Sequence, residues 1–436
     1  MKNDNLDKAR REINEIDKEL RDLFLRRMNA VKSVAEYKSK NGLPILDEAR
    51  ETEIIKNNSV FIEDDKLRSY YVDFLKDLMT VSRRYQGELI EQSRSKLPCG
   101  AKALHINAGR GYNVFIGKRL LDKAEELLNL NRKVLIVTDD GVPKKYAETV
   151  GARCLEARII TIPQGEVSKS ADCFKTLCHE MLDFGMTRTD CVVAVGGGVV
   201  GDVTGFAAAS YMRGIDFYNI PTTLLSQLDS SIGGKTAVNL SGVKNIVGAF
   251  YQPSAVIIDT EVLSTLPKRH FSNGLAEAIK MSLTLDEELF ELIESGNVQK
   301  NIERIILRSL SIKKEFVERD EHENGLRRVL NFGHTLGHGI EAAETHQLYH
   351  GECVAIGMIP TSSPDVQKRL ITLLQKYDLP TKYNGDIEQA LSFIKQDKKC
   401  DGNMINIVFV DKIGSYRLEK IDVESFCSLV REEYKK

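Results

Sequence analysis

No apolar run in this 436-residue sequence is long enough to cross a bilayer, since the longest are of strand length or are broken by glycine and polar residues. Excess charge is lacking too: 61 basic against 63 acidic side chains leave a net charge of −2, which argues against nucleic acid or a membrane as a partner. Cysteine is sparse and unpaired. The eight (Cys99, Cys154, Cys173, Cys178, Cys191, Cys353, Cys400, Cys427) form neither a C-x-x-C pair nor a dense framework, so they read as reduced thiols. The N-terminal stretch MKNDNLDKARREINE is charged where a secretory leader would be apolar, and a cytoplasmic protein is expected. What is present is ordinary for a globular chain, 42% hydrophobic and 28% charged residues, in a length that calls for two or three domains.

Residues 1–90 hold one proline and two glycines, and their apolar residues recur at helical spacing, which predicts an all-α domain of about three helices. Residues 91–102 read as a polar linker. From 103 to 262, β-rich runs such as KVLIVTDD, CVVAVGGG and AVIIDT alternate with helical patterns, predicting an α/β domain on a Rossmann-like, largely parallel sheet. Residues 263–436 are mostly helical apart from a short INIVFV run near 405. The fold class expected is thus multidomain: all-α, then α/β, then mostly α.

In the first helix, Ile13, Ile16, Leu20, Leu23, Ala30, Val31 and Val34 trace one face, and Arg10, Arg27 and Lys38 fall in line with it. A cation carried into an apolar face without a partner costs several kcal/mol, so these three snorkel, pair internally, or hold an anionic ligand. The wider pattern favours the ligand. Arg10, Arg27, Lys38, Asp47, Arg50, Glu51, Ser82 and Gln86, together with Leu43-Pro44-Ile45 and the Glu12/Asp17 pair, make residues 1–90 resemble the all-helical chorismate mutases. That resemblance implies rearrangement of chorismate to prephenate, a pericyclic step needing restraint and electrostatics but no nucleophile. It further implies that Arg10 and Arg27 meet the substrate carboxylates, Lys38 and Gln86 the ether oxygen, and Glu51 the ring hydroxyl. Arg10 would serve the partner chain's site, so a homodimer is implied.

Farther on, Gly196-Gly197-Gly198-Val199-Val200-Gly201-Asp202 follows the strand CVVAV and precedes a helical run, where glycines let a backbone approach a phosphate. Alone, this pattern is weak, and an earlier βα unit near Lys133–Asp140 displaces it from the first turn of a standard dinucleotide fold. A glycine turn that merely packs helix on strand stays open on these residues.

Farther still, His334 and His338 lie four apart and so share a helix face, a common zinc half-site, with His350 close behind. Glu277 and Lys280 place a carboxylate and an ammonium on another apolar helix. Two histidines and one glutamate would leave a metal an open coordination position. Spacing alone nominates His334 and His338 as joint ligands.

The run from Pro221 through Gln227 and Asp229 to Gly233-Gly234-Lys235, then Gly242-Val243-Lys244-Asn245, makes the chain from about 103 onward resemble the 3-dehydroquinate synthases. By that resemblance, Asp139, Glu166, Lys169, Gly198, Gly201, Asp202, Thr222, Thr223, Lys235, Lys244 and Thr265 line an NAD site. Arg213, Asp229, Lys235, Lys244 and Asn245 face the substrate or its phosphate. The same resemblance assigns Glu277, His334 and His350 to a divalent metal, zinc or cobalt, and His338, Lys280, Lys313, Glu323, Arg327 and Asn331 to the substrate. Where the family continues a long helix after HGECVAIGM, this sequence turns at Ile359-Pro360-Thr361-Ser362-Ser363-Pro364, about ten residues shorter. The implied reaction converts 3-deoxy-D-arabino-heptulosonate 7-phosphate to 3-dehydroquinate and phosphate, with NAD used catalytically. Two rivals share the architecture, other sugar-phosphate cyclases and polyol dehydrogenases, and residues 1–90 could sense prephenate or chorismate instead of catalysing.

Overall fold

The computed structural model describes residues 2–40, 45–93, 97–321, 325–344, 347–395 and 403–435, in two compact units, Met1–Leu97 and Pro98–Lys436. No helix among them is long and apolar enough to cross a membrane.

The first unit is three helices, α1 (Lys2–Lys40), α2 (Glu48–Ser59) and α3 (Asp65–Ser93). Asp47 starts α2 by accepting a hydrogen bond from the Arg50 amide at 3.0 Å, an N-cap. Val31 and Ala35 of α1 and Leu75 and Met79 of α3 form the small buried core. The apolar face of α1 departs from expectation: every described side chain from Leu6 to Arg26 is exposed, and Ile13, Ile16, Leu20 and Leu23 keep 46–56% of their surface. A helix of 39 residues is about 58 Å long, more than α2 and α3 can cover.

The second unit is built on a sheet of β1 (Lys102–Ile106), β2 (Tyr112–Gly117), β3 (Lys133–Asp139), β4 (Glu156–Ile162), β5 (Cys191–Gly196), β6 (Asp216–Pro221) and β9 (Ala255–Asp259). Their order is β1-β2-β9-β6-β5-β3-β4. Every pairing is parallel except β1 with β2. The fully buried CVVAVG of β5 reflects a central parallel strand covered on both faces. β7 (Lys235–Leu240) and β8 (Val243–Phe250) form a separate antiparallel hairpin, which the sequence reading did not single out.

Helices of this unit that carry candidate residues are α4 (Gly198–Ser210), α5 (Lys268–Leu285), α6 (Ile302–Arg319), α7 (His334–Ala343) and α8 (His350–Met358). The predicted INIVFV strand is present as β10 (Met404–Phe409), paired with β11 (Arg417–Asp422). At 359–364 the shortened segment is closely tied. Ser362 Oγ donates to the Met358 carbonyl at 2.9 Å, and the Ser363 amide to that of Val410 at 2.9 Å. Pro364 then opens the next helix at its first turn, where a missing amide proton costs nothing.

Candidate active sites

In the first unit, Ser82 and Gln86 lie one turn apart on α3, both buried. The Arg27 guanidinium reaches across from α1 to hydrogen-bond Ser82, and burial lowers its pKa. Gln86 Oε1 is buried without a hydrogen-bond partner among the described residues. Glu51 of α2 is ion-paired to Arg83, and Lys38 Nζ donates to the Ile45 carbonyl at 2.6 Å. So Arg27 and Ser82 meet, with Gln86 one turn further along α3 and Glu51 joined to that helix through Arg83. Sequence reasoning missed Arg83, and its position next to Ser82 was the available signal. Arg10 does not join them: it is exposed, its Nη1 3.8 Å from Asp7, about 25 Å up the helix from Arg27. Asp47 is occupied as the cap of α2, and Arg50 pairs with Glu53 at 2.6 Å on the surface.

In the second unit, the carboxyl ends of β3, β5, β6 and β9 point to one edge of the sheet, and strand order reverses between β3 and β5, the place where open α/β sheets bind ligands. Asp139 ends β3, its carboxylate accepting from the Gly141 amide at 2.9 Å, with a pKa that burial raises. After β5, α4 begins at Gly198 with Gly197 as its cap, so no side chain occupies its first amides. Gly201 and Asp202 follow in its first turns. Burial raises the Asp202 pKa against the opposing pull of its ion pair with Lys169. Glu166 accepts from Asn239 Nδ2 at 2.8 Å. Thr222 and Thr223 follow β6, with Thr223 Oγ1 donating to Ser226 Oγ at 3.1 Å. Thr265 Oγ1 lies 3.0 Å from the Tyr146 hydroxyl. Glycine amides, hydroxyls and a buried lysine on one strand edge fit a dinucleotide.

The second cluster is more buried. Glu277 and Lys280 form an ion pair inside α5, each almost wholly covered. Glu277 Oε1 stands 3.6 Å from His334 Nε2 and 3.5 Å from His350 Nε2, beyond good hydrogen-bond length but suited to three ligands around one point. Burial opposes ionisation of Glu277, yet Lys280 and the two histidines hold its pKa well below the usual carboxylate range. Burial, then Lys280, pushes His334 well down, toward the neutral ring that can ligate. His338 rests its ring 5.2 Å from that of His334 and forms a different grouping, with Glu341 and His350. The residues present therefore fit a divalent metal at Glu277, His334 and His350.

Around this point, Lys313 Nζ lies 2.8 Å from Asp229 Oδ1 and donates to the Asp229 carbonyl at 2.7 Å, while burial lowers the lysine pKa. Arg327 is buried, its Nε without a partner among the described residues, and Asn331 ends the same short turn, three residues before His334. Lys235 opens β7 after Gly234, and Asn245 sits at φ 55° with its amide on Asn239 Oδ1 at 2.9 Å. Arg213 is not gathered here. It follows the far end of α4, about 20 Å of helix from Gly198, where β6 begins. Glu323 lies outside the described residues. A groove of about 430 Å³, lined by Leu130, Arg153 and Leu155, opens where β3 and β4 begin, away from this chemistry.

A parallel sheet with a dinucleotide-fitting edge, joined to helices that gather a Glu-His-His set, gives the second unit a fold that it shares with synthases solved with NAD+ and a divalent metal bound. It matches 2-deoxy-scyllo-inosose synthase complexed with carbaglucose-6-phosphate, NAD+ and Co2+ (TM-score 0.70, 28% identity, 76% of this chain and 100% of that one). It also matches the 2-epi-5-epi-valiolone synthase of Streptomyces hygroscopicus with NAD+ and Zn2+ bound (TM-score 0.67, 28% identity, 74% and 97%). Family models match residues 159–273 as 3-dehydroquinate synthase N-terminal, 274–400 as 3-dehydroquinate synthase C-terminal, and 9–87 as chorismate mutase type II. The 3-dehydroquinate synthase of Clostridium kluyveri is 41% identical over 343 residues, 73% of this chain and 96% of that one. The chain belongs to the 3-dehydroquinate synthase family, and it carries a chorismate mutase domain ahead of the synthase, which makes it a bifunctional enzyme of the shikimate pathway.

Proposed function

We propose that the second unit converts 3-deoxy-D-arabino-heptulosonate 7-phosphate to 3-dehydroquinate and phosphate, and that the first rearranges chorismate to prephenate. The observation that carries the synthase reading is the convergence of Glu277, His334 and His350 beside buried Lys280, Lys313 and Arg327. Glu277, His334 and His350 would hold the metal, and the edge formed by Asp139, Gly198, Asp202 and Thr222 would hold NAD. When bound, these supply Lewis acidity and a reversible hydride acceptor. The chain's own residues do the rest. Lys235, Lys244 and Asn245 orient the phosphate end, Lys280 and Lys313 neutralise developing negative charge, and His338 stands within reach to move a proton. Identity of 41% to a 3-dehydroquinate synthase against 28% to the inosose synthase favours this substrate over those of other cyclases.

In the mutase, Arg27 would hold a substrate carboxylate and Gln86 and Lys38 the ether oxygen as it gains charge. The exposed stripe of Ile13, Ile16, Leu20 and Leu23, with Arg10 beyond it, favours a homodimer in which α1 covers a second copy and delivers Arg10 to its site. Both readings are tested by assaying the purified chain separately with chorismate and with the heptulosonate phosphate. Turnover of only one substrate would remove the other reading.

A further inference from the structure

Glu341 stands on α7, one turn after His338, and the sequence reading gave it no part. Its two carboxylate oxygens face different elements. Oε2 lies 3.2 Å from Nδ1 of His350, and Oε1 accepts from Lys244 Nζ at 2.7 Å, in the turn region of the β7–β8 hairpin. We infer that Glu341 is a positioning residue for His350 and ties that histidine to Lys244, an inference that rests on the metal site proposed above.

A ligating imidazole must be neutral, so if Nε2 keeps its lone pair for a metal shared with Glu277 and His334, the ring proton sits on Nδ1 and needs an acceptor. Glu341 provides it. The pairing fixes both the tautomer and the rotation of a ring that stands at the amino end of α8, and it raises the basicity of the ligating nitrogen. His338 does not supply this acceptor, its ring centre being 5.9 Å from that of His350. Lys244 shares the same carboxylate and draws charge from it. An anion that recruits Lys244 would return Glu341 wholly to His350, so occupancy near the hairpin and strength of metal binding are linked through one side chain.

The test is the zinc dissociation constant of the full chain, measured by chelator competition, for wild type, E341Q, E341L, K244M, E341L/K244M and E277A. Expected are a loss of about 10- to 100-fold in E341L, a smaller loss in E341Q, whose amide oxygen still accepts from Nδ1, and a changed constant in K244M that vanishes in the E341L background. Wild-type affinity in E341L, with E341Q the arbiter should E341L not fold, would overturn the positioning role. An effect of K244M equal in both backgrounds, or none in either, would overturn the tie to Lys244. Zinc held as tightly by E277A as by wild type would instead overturn the ligand set itself.

Discussion

Arg269 grips Glu352 with two donors, Nε to Oε1 at 2.7 Å and Nη2 to Oε2 at 2.8 Å, while its guanidinium lies over the Tyr349 ring at 4.2 Å. Arg269 belongs to α5, which bears Glu277, and Glu352 to α8, which bears His350. The pair therefore sets the spacing of two helices that each contribute to the buried cluster. A third contact, the Gly351 amide on Asn273 Oδ1 at 2.6 Å, closes the same junction. Arg269→Met leaves the buried Glu352 carboxylate with only the Tyr349 amide as a donor, and should cost about 1 kcal/mol. The check is the denaturant midpoint of the synthase transition, which an unchanged value would contradict.

Gly351 admits no side chain, because a Cβ there would lie 2.0 Å from the Asn273 carbonyl oxygen. Gly351→Ala should push α8 off α5, costing about 1–3 kcal/mol, and should weaken zinc binding although no ligand is altered. Metal content after dialysis reads this out. Wild-type stoichiometry would mean the junction tolerates displacement.

Chelation should abolish dehydroquinate formation, zinc or cobalt should restore it, and chorismate rearrangement should proceed throughout. Within the cluster, His350→Ala should empty the site, whereas His338→Ala should keep the metal and slow turnover. The reverse pattern would hand the ligand role to His338, as the four-residue spacing from His334 would suggest on its own.

Arg27→Ala removes the cation that bonds Ser82 and should lower mutase turnover about 100-fold or more while the synthase rate stays as it was. The expectation of independence rests on chemistry as well, since dehydroquinate is several steps from chorismate and the two sites share no intermediate. Both rates are measured in the mutant, and in wild type with and without prephenate. Synthase inhibition by prephenate that disappears in the mutant would favour a sensing role for the helical unit.

Among the described cysteines, Cys99 is exposed, whereas Cys191, Cys353 and Cys427 are buried, and burial pushes the thiols of Cys191 and Cys353 up to about 12. Only thiolates react readily, so iodoacetamide at neutral pH should label Cys99 well before Cys191 and Cys353. Peptide mass spectrometry over time decides it, and early labelling of Cys191 would mean that the sheet opens more easily than its burial implies.

Elements with local signals were readable from the chain. The βα alternation, the Gly196–Gly198 turn and the helical repeat of residues 1–90 each follow from periodicity within a dozen residues, and the structure bears all three out. Convergence across long separations was not readable from spacing. Glu277 and His350 lie 73 positions apart, and it took a family resemblance to set them together. Arg83 and Glu341 escaped notice because a charged residue on a helix is ordinarily solvated, and only a tertiary neighbour, Glu51 or His350, distinguishes it. The stripe on α1 misled in the opposite sense, since periodicity reports a face that requires covering and is silent on which chain covers it.

That stripe makes the helical unit answerable to mass action. An isolated helical segment is marginal in water, and from Leu6 to Arg26 the side chains of α1 are exposed among the described residues. In the proposed homodimer a second copy would cover that face, so the melting point of the first unit should climb with protein concentration. The sheet-based unit, whose central strand β5 is wholly buried by its own elements, would carry no such dependence on dilution through that helix. At low expression, the cell would lose the mutase before the synthase.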